Sequence, residues 1–159
     1  MRIINTGGTF NKRYDPIKGE LFVPQDNRAV EEILKSLVED ISLEGVIYKD
    51  SLEMDQQDRM KLGETIAQCT EKIIIVVHGT DTMDRSAEYI ESLGLDKVVV
   101  FTGAMIPFHI DPIEATANLG MAMGYARNAS TGVHIVIQGV MSSFKQVKKN
   151  KSAGKFEYV

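Results

Sequence analysis

Strand-like and helix-like patterns alternate along the whole chain. The clearest strand is in "KIIIVVHGTDTMD", where five consecutive β-branched residues end at His78-Gly79. "RIINTG", "EGVIYKDS", "KVVVFTGAM" and "GVHIVIQGV" have the same character. Each is a continuous apolar run and not an alternating one, as expected of a strand covered by helices on both faces. Between them lie segments with helical spacing. "NRAVEEILKSLVED" aligns Val30, Ile33, Leu34 and Leu37, and "DQQDRMKLGETIAQC" is expected to turn Met60, Ile66 and Ala67 toward the core. "RSAEYIESLGL" reads as a short helix stopped by Gly94, and "DPIEATANLGMAMGYARN" as a helix with Pro112 in its first turn.

This alternation predicts an α/β fold: a three-layer, doubly wound, mostly parallel sheet of the Rossmann or flavodoxin type, in a single domain over residues 1–159. Two segments stand outside the pattern. Residues 7–25 form a loop rich in Gly, Pro and charge, of which Phe10 to Pro24 is expected to act as a lid. From about residue 142, "SSFKQVKKNKSAGKFEYV" loses periodicity and becomes lysine-rich, which reads as a tail or flap.

Composition narrows the function classes. A length of 159 residues supports a sizeable core, and 43% apolar with 25% charged residues is an ordinary globular balance. The net charge of -4 argues against a general nucleic-acid binder, so Lys145, Lys148, Lys149, Lys151 and Lys155 read as a solvated surface. Cys69 is the only cysteine, which excludes a disulfide scaffold and favours a buried structural thiol. The three histidines lack the spacing of metal ligands, so neither a metal nor another cofactor is expected. No signal-peptide core or membrane-length apolar run occurs, and a cytoplasmic protein is the expectation.

The candidate chemistry lies at strand ends. "NTGGTF", "HGTDTM" and "FTGAMIPFHID" would share one edge of a parallel sheet, joined there by "KDSLEMD". Each piece alone has a plainer reading. The glycine pair lacks the lysine-hydroxyl ending of a phosphate loop and serves equally as a turn. Thr80 or Asp81 could cap a helix, and His78 could be a hydrogen-bonded core residue.

Taken together, "TGGTF", "HGTDTM" and "TGAMIPFHIDPIEATANL" resemble the amino-terminal domain of the bacterial-type L-asparaginases and glutaminases. The resemblance runs from Arg2 to about Phe156, and the family's carboxyl-terminal domain is expected to be absent. It implies an amidohydrolase in which Thr9 is the nucleophile, assisted by Tyr14 on a mobile loop. Thr80 and Asp81 would work with Lys149, with Lys148 the adjacent alternative. Ser51 would hold a substrate α-carboxylate and Asp81 its α-amino group, and Gly8, Glu53, Gly79, Ala104 and Met105 complete the implied binding set. Leu52 stands where relatives place a glutamine, and Glu53 where they place an aspartate. The resemblance also implies a small-molecule amide substrate and a homodimer, to which Phe108, Met121, Met123 or Tyr125 could contribute. A non-catalytic amino-acid or dicarboxylate binder built on the same pocket is the alternative.

Elementary chemistry makes the same demands. A threonine hydroxyl needs a neighbouring base to attack an amide. A lysine serves as that base when burial lowers its pKa, and a carboxylate beside it positions more than it activates. Backbone N–H groups near Gly8 or Gly79 could stabilise an oxyanion.

Overall fold

The computed structural model describes residues 1–159. The chain runs through β1 (Arg2–Gly7), a small hairpin of β2 (Arg13–Asp15) and β3 (Glu20–Phe22), α1 (Arg28–Leu34), β4 (Ser42–Lys49) and α2 (Gln56–Gln68). Then follow β5 (Ile73–Val77), α3 (Met83–Ser92), β6 (Val98–Thr102), α4 (Pro112–Ala126), β7 (Gly132–Ile137) and β8 (Val140–Ser143). A second hairpin, β9 (Val147–Asn150) and β10 (Lys155–Tyr158), completes it.

The main sheet has the order β4-β1-β5-β6-β7-β8, parallel except for β8, which pairs antiparallel with β7. The α/β expectation holds. The chain moves outward from β1 to β4 and then returns to the other side of β1 with β5, so the connections on the two sides of β1 diverge. Such a reversal opens a crevice at the carboxyl ends of the two central strands.

The continuous β-branched runs are explained by the two layers. Ile4, Ile74, Val76, Val99 and Phe101 pack with Leu62 and Ile66 of α2 and with Met83, Ala87 and Ile90 of α3. The alternate residues Ile3, Ile75, Val77 and Val100 pack with α1 and α4 through Val30, Ile33, Ala115 and Leu119. In the central strands each residue faces one core or the other, so polar ones such as Asn5, Thr6 and His134 are hydrogen-bonded, the Thr102 hydroxyl being the exception. Phe108, Met121 and Tyr125 lie half-buried on the α1/α4 side, and Met123 is buried there.

Four local expectations need correction. Helix α1 ends at Leu34, leaving Leu37 40% exposed and Val38 fully exposed. In α2 the buried face is Arg59, Leu62, Gly63 and Ile66, while Met60 and Ala67 face solvent. Reciprocal capping between Asp55 and Asp58 fixes where this helix begins. Gly63 sets its phase, because a Cβ there would stand 2.8 Å from Leu93 Cδ1 and 3.1 Å from Tyr89 Cε1. "GVHIVIQGV" is a hairpin and not one strand: Gln138 and Gly139 take φ of 53° and 81° and reverse the chain between Ile137 and Val140. The lysine-rich segment is likewise ordered, since Val147 and Phe156 of its two strands bury themselves in the α2/α3 core.

The α2 phase is open to a direct comparison by chemical denaturation. Leu62→Ala is expected to cost about 3 kcal/mol, and Met60→Ala less than about 0.5 kcal/mol. The opposite ranking would restore the phase with Met60 inward.

Candidate active site

The central crevice closes by backbone contact. Gly8 follows β1 with φ of 71°, and a Cβ built on it would lie 2.5 Å from both the N and the Cα of Gly79, just beyond β5. A Cβ on Gly79 would in turn lie 2.7 Å from Ser51 Cβ and 2.9 Å from Ser51 N. Three strand ends thus stack main chain on main chain, which only glycine permits. The Gly8 amide also donates to the Lys49 carbonyl at the end of β4, at 2.9 Å.

The turn carrying Thr9 is held by buried amides. Asn5 Oδ1 accepts from the Gly7 amide at 3.0 Å and from Asn11 Nδ2 at 2.8 Å, and Asn11 Nδ2 also donates to the Gly7 carbonyl at 2.7 Å. Thr6 Oγ1 donates to the Val77 carbonyl and ties β1 to β5. Thr9 is half-buried above this base, next to the fully buried Phe10. Lys12 reaches across to Asp50 at 2.6 Å, joining the Thr9 turn to the Ser51 turn. Burial works to raise the Asp50 carboxyl, but the bonds from Lys12 and the Leu52 amide hold it below the usual carboxylate range.

Ser51 is buried and faces the second threonine motif. Its Oγ accepts from the Asp81 amide at 3.2 Å, and its carbonyl accepts from Thr82 Oγ1 at 2.8 Å. Arg59 braces the same turn from beneath, donating to the Met54 and Asp55 carbonyls at 3.0 Å each and to Thr82 Oγ1 at 3.1 Å.

Thr80, Asp81 and Lys149 come together from elements far apart in the chain. Lys149 Nζ donates to Thr80 Oγ1 at 2.7 Å and to Asp81 Oδ1 at 2.8 Å, with 12% of the lysine side chain exposed. Thr80 Oγ1 lies 3.5 Å from Met105 Sδ, and Ala104 is buried beside it in sequence. The period-2 alternation of β9 turns Lys149 inward and leaves Lys148 exposed. A cavity of about 680 Å³ opens beside the cluster, lined by Thr80, Asp81, Asp84, Lys148, Lys149 and Phe156 among others. Thr9 and Ser51 are not in its walls.

Two residues stand apart from this cluster. Tyr14, on the β2–β3 hairpin, is 58% exposed, and its hydroxyl lies against Gly19 at the hairpin's own tip. Glu53 is exposed on the short turn after Ser51. His78 is fully buried, with Nδ1 donating to the Gly79 carbonyl at 2.7 Å, which leaves Nε2 to accept from Ser86 Oγ at 2.9 Å. Burial lowers its pKa to about 4, so it is a neutral core residue. Cys69 caps the end of α2 with its thiol 3.1 Å from the Thr65 carbonyl, and burial pushes that thiol up, away from the reactive form.

The family model for the asparaginase amino-terminal domain matches residues 1–156. The chain belongs to the asparaginase family. The thermostable L-asparaginase from Thermococcus kodakarensis superposes with a TM-score of 0.85 at 22% identity, over 99% of this chain and 50% of its own. A probable cytoplasmic L-asparaginase from Campylobacter jejuni superposes with a TM-score of 0.77 at 26% identity, over 93% of this chain and 48% of its own. The chain therefore spans about half the length of these asparaginases. No curated protein matches it in sequence. No helix is long and apolar enough to cross a membrane.

In this asparaginase-family domain the supporting residues Asn5, Asn11, Lys12, Arg59 and Thr82 were not legible from motifs. Arg59 had one usable signal. With Leu62, Gly63 and Ile66 it completes an i, i+3, i+4, i+7 face, which places a cation on the buried side of α2.

Gly8→Ala should lower stability by about 3 kcal/mol, since it combines an unfavourable φ with a main-chain clash. A melting temperature equal to wild type would show that the strand ends can part. His78 has a folded-state pKa below its unfolded value of 6.5, so its contribution is complete above pH 6.5 and fades as pH falls toward 4. The loss expected over that window is about 3 kcal/mol. Denaturation from pH 7 to 4 should show His78→Gln losing less than wild type, and a His78 imidazole NMR resonance, assigned by its absence from His78→Gln, titrating near 6.5 would refute the burial argument.

Proposed function

We propose that this domain carries the amide-hydrolysing chemistry of an asparaginase-like amidohydrolase. The observation that carries the reading is the Thr80–Lys149–Asp81 cluster at the carboxyl edge of the sheet, in which the Lys149 amine lies 2.7 Å from the Thr80 hydroxyl and 2.8 Å from the Asp81 carboxylate. Thr9, on the neighbouring strand end, is the nucleophile. Its Oγ bonds to the substrate amide carbon, the C–N bond breaks, and the hydroxyl proton leaves with ammonia. Water then attacks the threonine ester, regenerating the hydroxyl and releasing the carboxylate.

Lys149 and Thr80 form the proton-handling pair, and Asp81 fixes the lysine in place. Ser51 Oγ, held by the Asp81 amide, faces the substrate carboxylate, and the backbone N–H groups near Gly8 and Gly79 receive the developing oxyanion. The Lys12–Asp50 bridge keeps the nucleophile's turn and the Ser51 turn in register. The substrate class is a small linear amide related to asparagine, in a site completed by water or by a further protein surface, and no cofactor is required. The β2–β3 hairpin is a lid whose closure brings Tyr14 to Thr9.

A second reading has its own support. Thr9 Oγ is not among the groups bonded to the Lys149 amine, and Tyr14 is 58% exposed with its hydroxyl toward Gly19, as in a pocket that binds an amino acid or dicarboxylate without turnover.

Ammonia release from asparagine, glutamine and small acyl amides separates the two. Activity is expected, lost in Thr9→Val and reduced at least about a hundredfold in kcat by Lys149→Met. Release no greater than that of Thr9→Val, together with calorimetric binding that survives the Thr9 change, would favour the binding protein.

A further inference from the structure

The β9–β10 hairpin that carries Lys149 is a separate two-stranded sheet, so its position depends on few ties to the main one. Val147 and Phe156 bury their side chains, but apolar contact is non-directional and does not fix an ammonium to within hydrogen-bond reach. Besides the bonds that Lys149 itself makes to Thr80 and Asp81, a directional tie is Phe156 N, which donates to Gln138 Oε1 at 3.0 Å. Phe156 is the residue directly opposite Lys149 in the hairpin register. A further tie, from the Met141 amide to Tyr158 Oη at 3.1 Å, lies at the hairpin's open end, where Tyr158 pairs with Val147, and is exposed.

Gln138 is itself held firmly. Its amide donates to Asn118 Oδ1 at 2.8 Å, and its Nε2 lies 3.4 Å from Glu114 Oε1. The same two α4 side chains hold the loop after β6. Asn118 Nδ2 donates to the Gly103 carbonyl at 2.9 Å, and the Glu114 carboxylate accepts from the Met105 and Ile106 amides at 3.0 to 3.1 Å. Met105 in turn touches Thr80. Gln138 is therefore shared by the two walls of the Thr80–Lys149 cluster.

The backbone conformation supports a role for this side chain. Gln138 has φ of 53° at the first position of a two-residue hairpin, where glycine or asparagine fits with less strain. A glutamine there gains what those residues cannot supply, an acceptor long enough to reach β10.

We propose that Gln138 is a positioning residue that sets the reach of Lys149 by fixing β10 to the main sheet. It touches no reacting atom and acts through the Phe156 amide. The anchoring part of the proposal is independent of the amidohydrolase reading, and only its kinetic consequence rests on that reading.

Gln138→Gly isolates the side chain, because glycine keeps the turn and its amide while removing the acceptor. Amide hydrogen exchange in residues 147–158 should accelerate about tenfold, with β5 and β6 unchanged as the control for folding. Competitive acylation of lysines, quantified by mass spectrometry, should show Lys149 labelled about tenfold faster while Lys72 is unchanged. Amide turnover should fall about tenfold in kcat with KM nearly constant. Unchanged exchange in the hairpin, or unchanged labelling of Lys149, would overturn the proposal. Loosened exchange and labelling with undiminished kcat would overturn its functional half. Wild-type protein that releases no ammonia would refute the amidohydrolase reading alone, with exchange and labelling still deciding the anchor.

Discussion

Everything at the candidate site depends on the main-chain contact between Gly8 and Gly79. With no Cβ on either residue, β1 and β5, paired in parallel as far as Asn5 and Val77, still touch beyond that point. Their following turns, one bearing Thr9 and the other Thr80 and Asp81, are thereby forced into neighbouring positions. Ser51 joins by the same device, against Gly79. The site is thus a consequence of how closely backbones approach at the reversal of strand order, and the side chains occupy space left around that contact.

The charges of the site are distributed so that few are left to burial alone. Lys149, largely shielded, has Asp81 and the Thr80 hydroxyl, and Lys12 has Asp50. Arg59 is different: it is buried without a carboxylate partner, and its three hydrogen bonds go to two carbonyls and one hydroxyl. Partial charges on oxygens compensate its desolvation incompletely, so the turn that supplies them is pinned in place by the cost of leaving a guanidinium unsatisfied. That turn carries Ser51. A cation that contacts no substrate therefore contributes rigidity where an amide would be oriented.

Rigid and adjustable parts are cleanly separated. The glycine- and amide-braced strand ends belong to the core of the sheet, whereas Tyr14 and Lys149 sit on two small hairpins outside it. The first hairpin exposes Tyr14, Ile17, Leu21 and Phe22 and has little burial to hold it. The second is sunk into the core through Val147 and Phe156 and delivers a single inward lysine. The two hairpins thus differ in how much apolar surface they bury, the one bearing Tyr14 little and the one bearing Lys149 more.

Local sequence was sufficient for the layers and for the meeting of the motifs. Runs such as Ile73–Val77 have no polar face, so they must lie between two helical layers, and parallel strands must end on one edge. The carboxyl-edge placement of Thr9, Ser51, Thr80 and Asp81 follows from that alone. Tertiary structure decided the phases and the reach. The exposure of Met60, the burial of Arg59, the break at Gln138-Gly139 and the choice of Lys149 over Lys148 each turn on which side of a short element meets a neighbour. Such a choice is fixed by contacts from residues dozens of positions away, here Tyr89 and Leu93 for α2 and the main sheet for β9. Periodicity read along a few residues cannot see them.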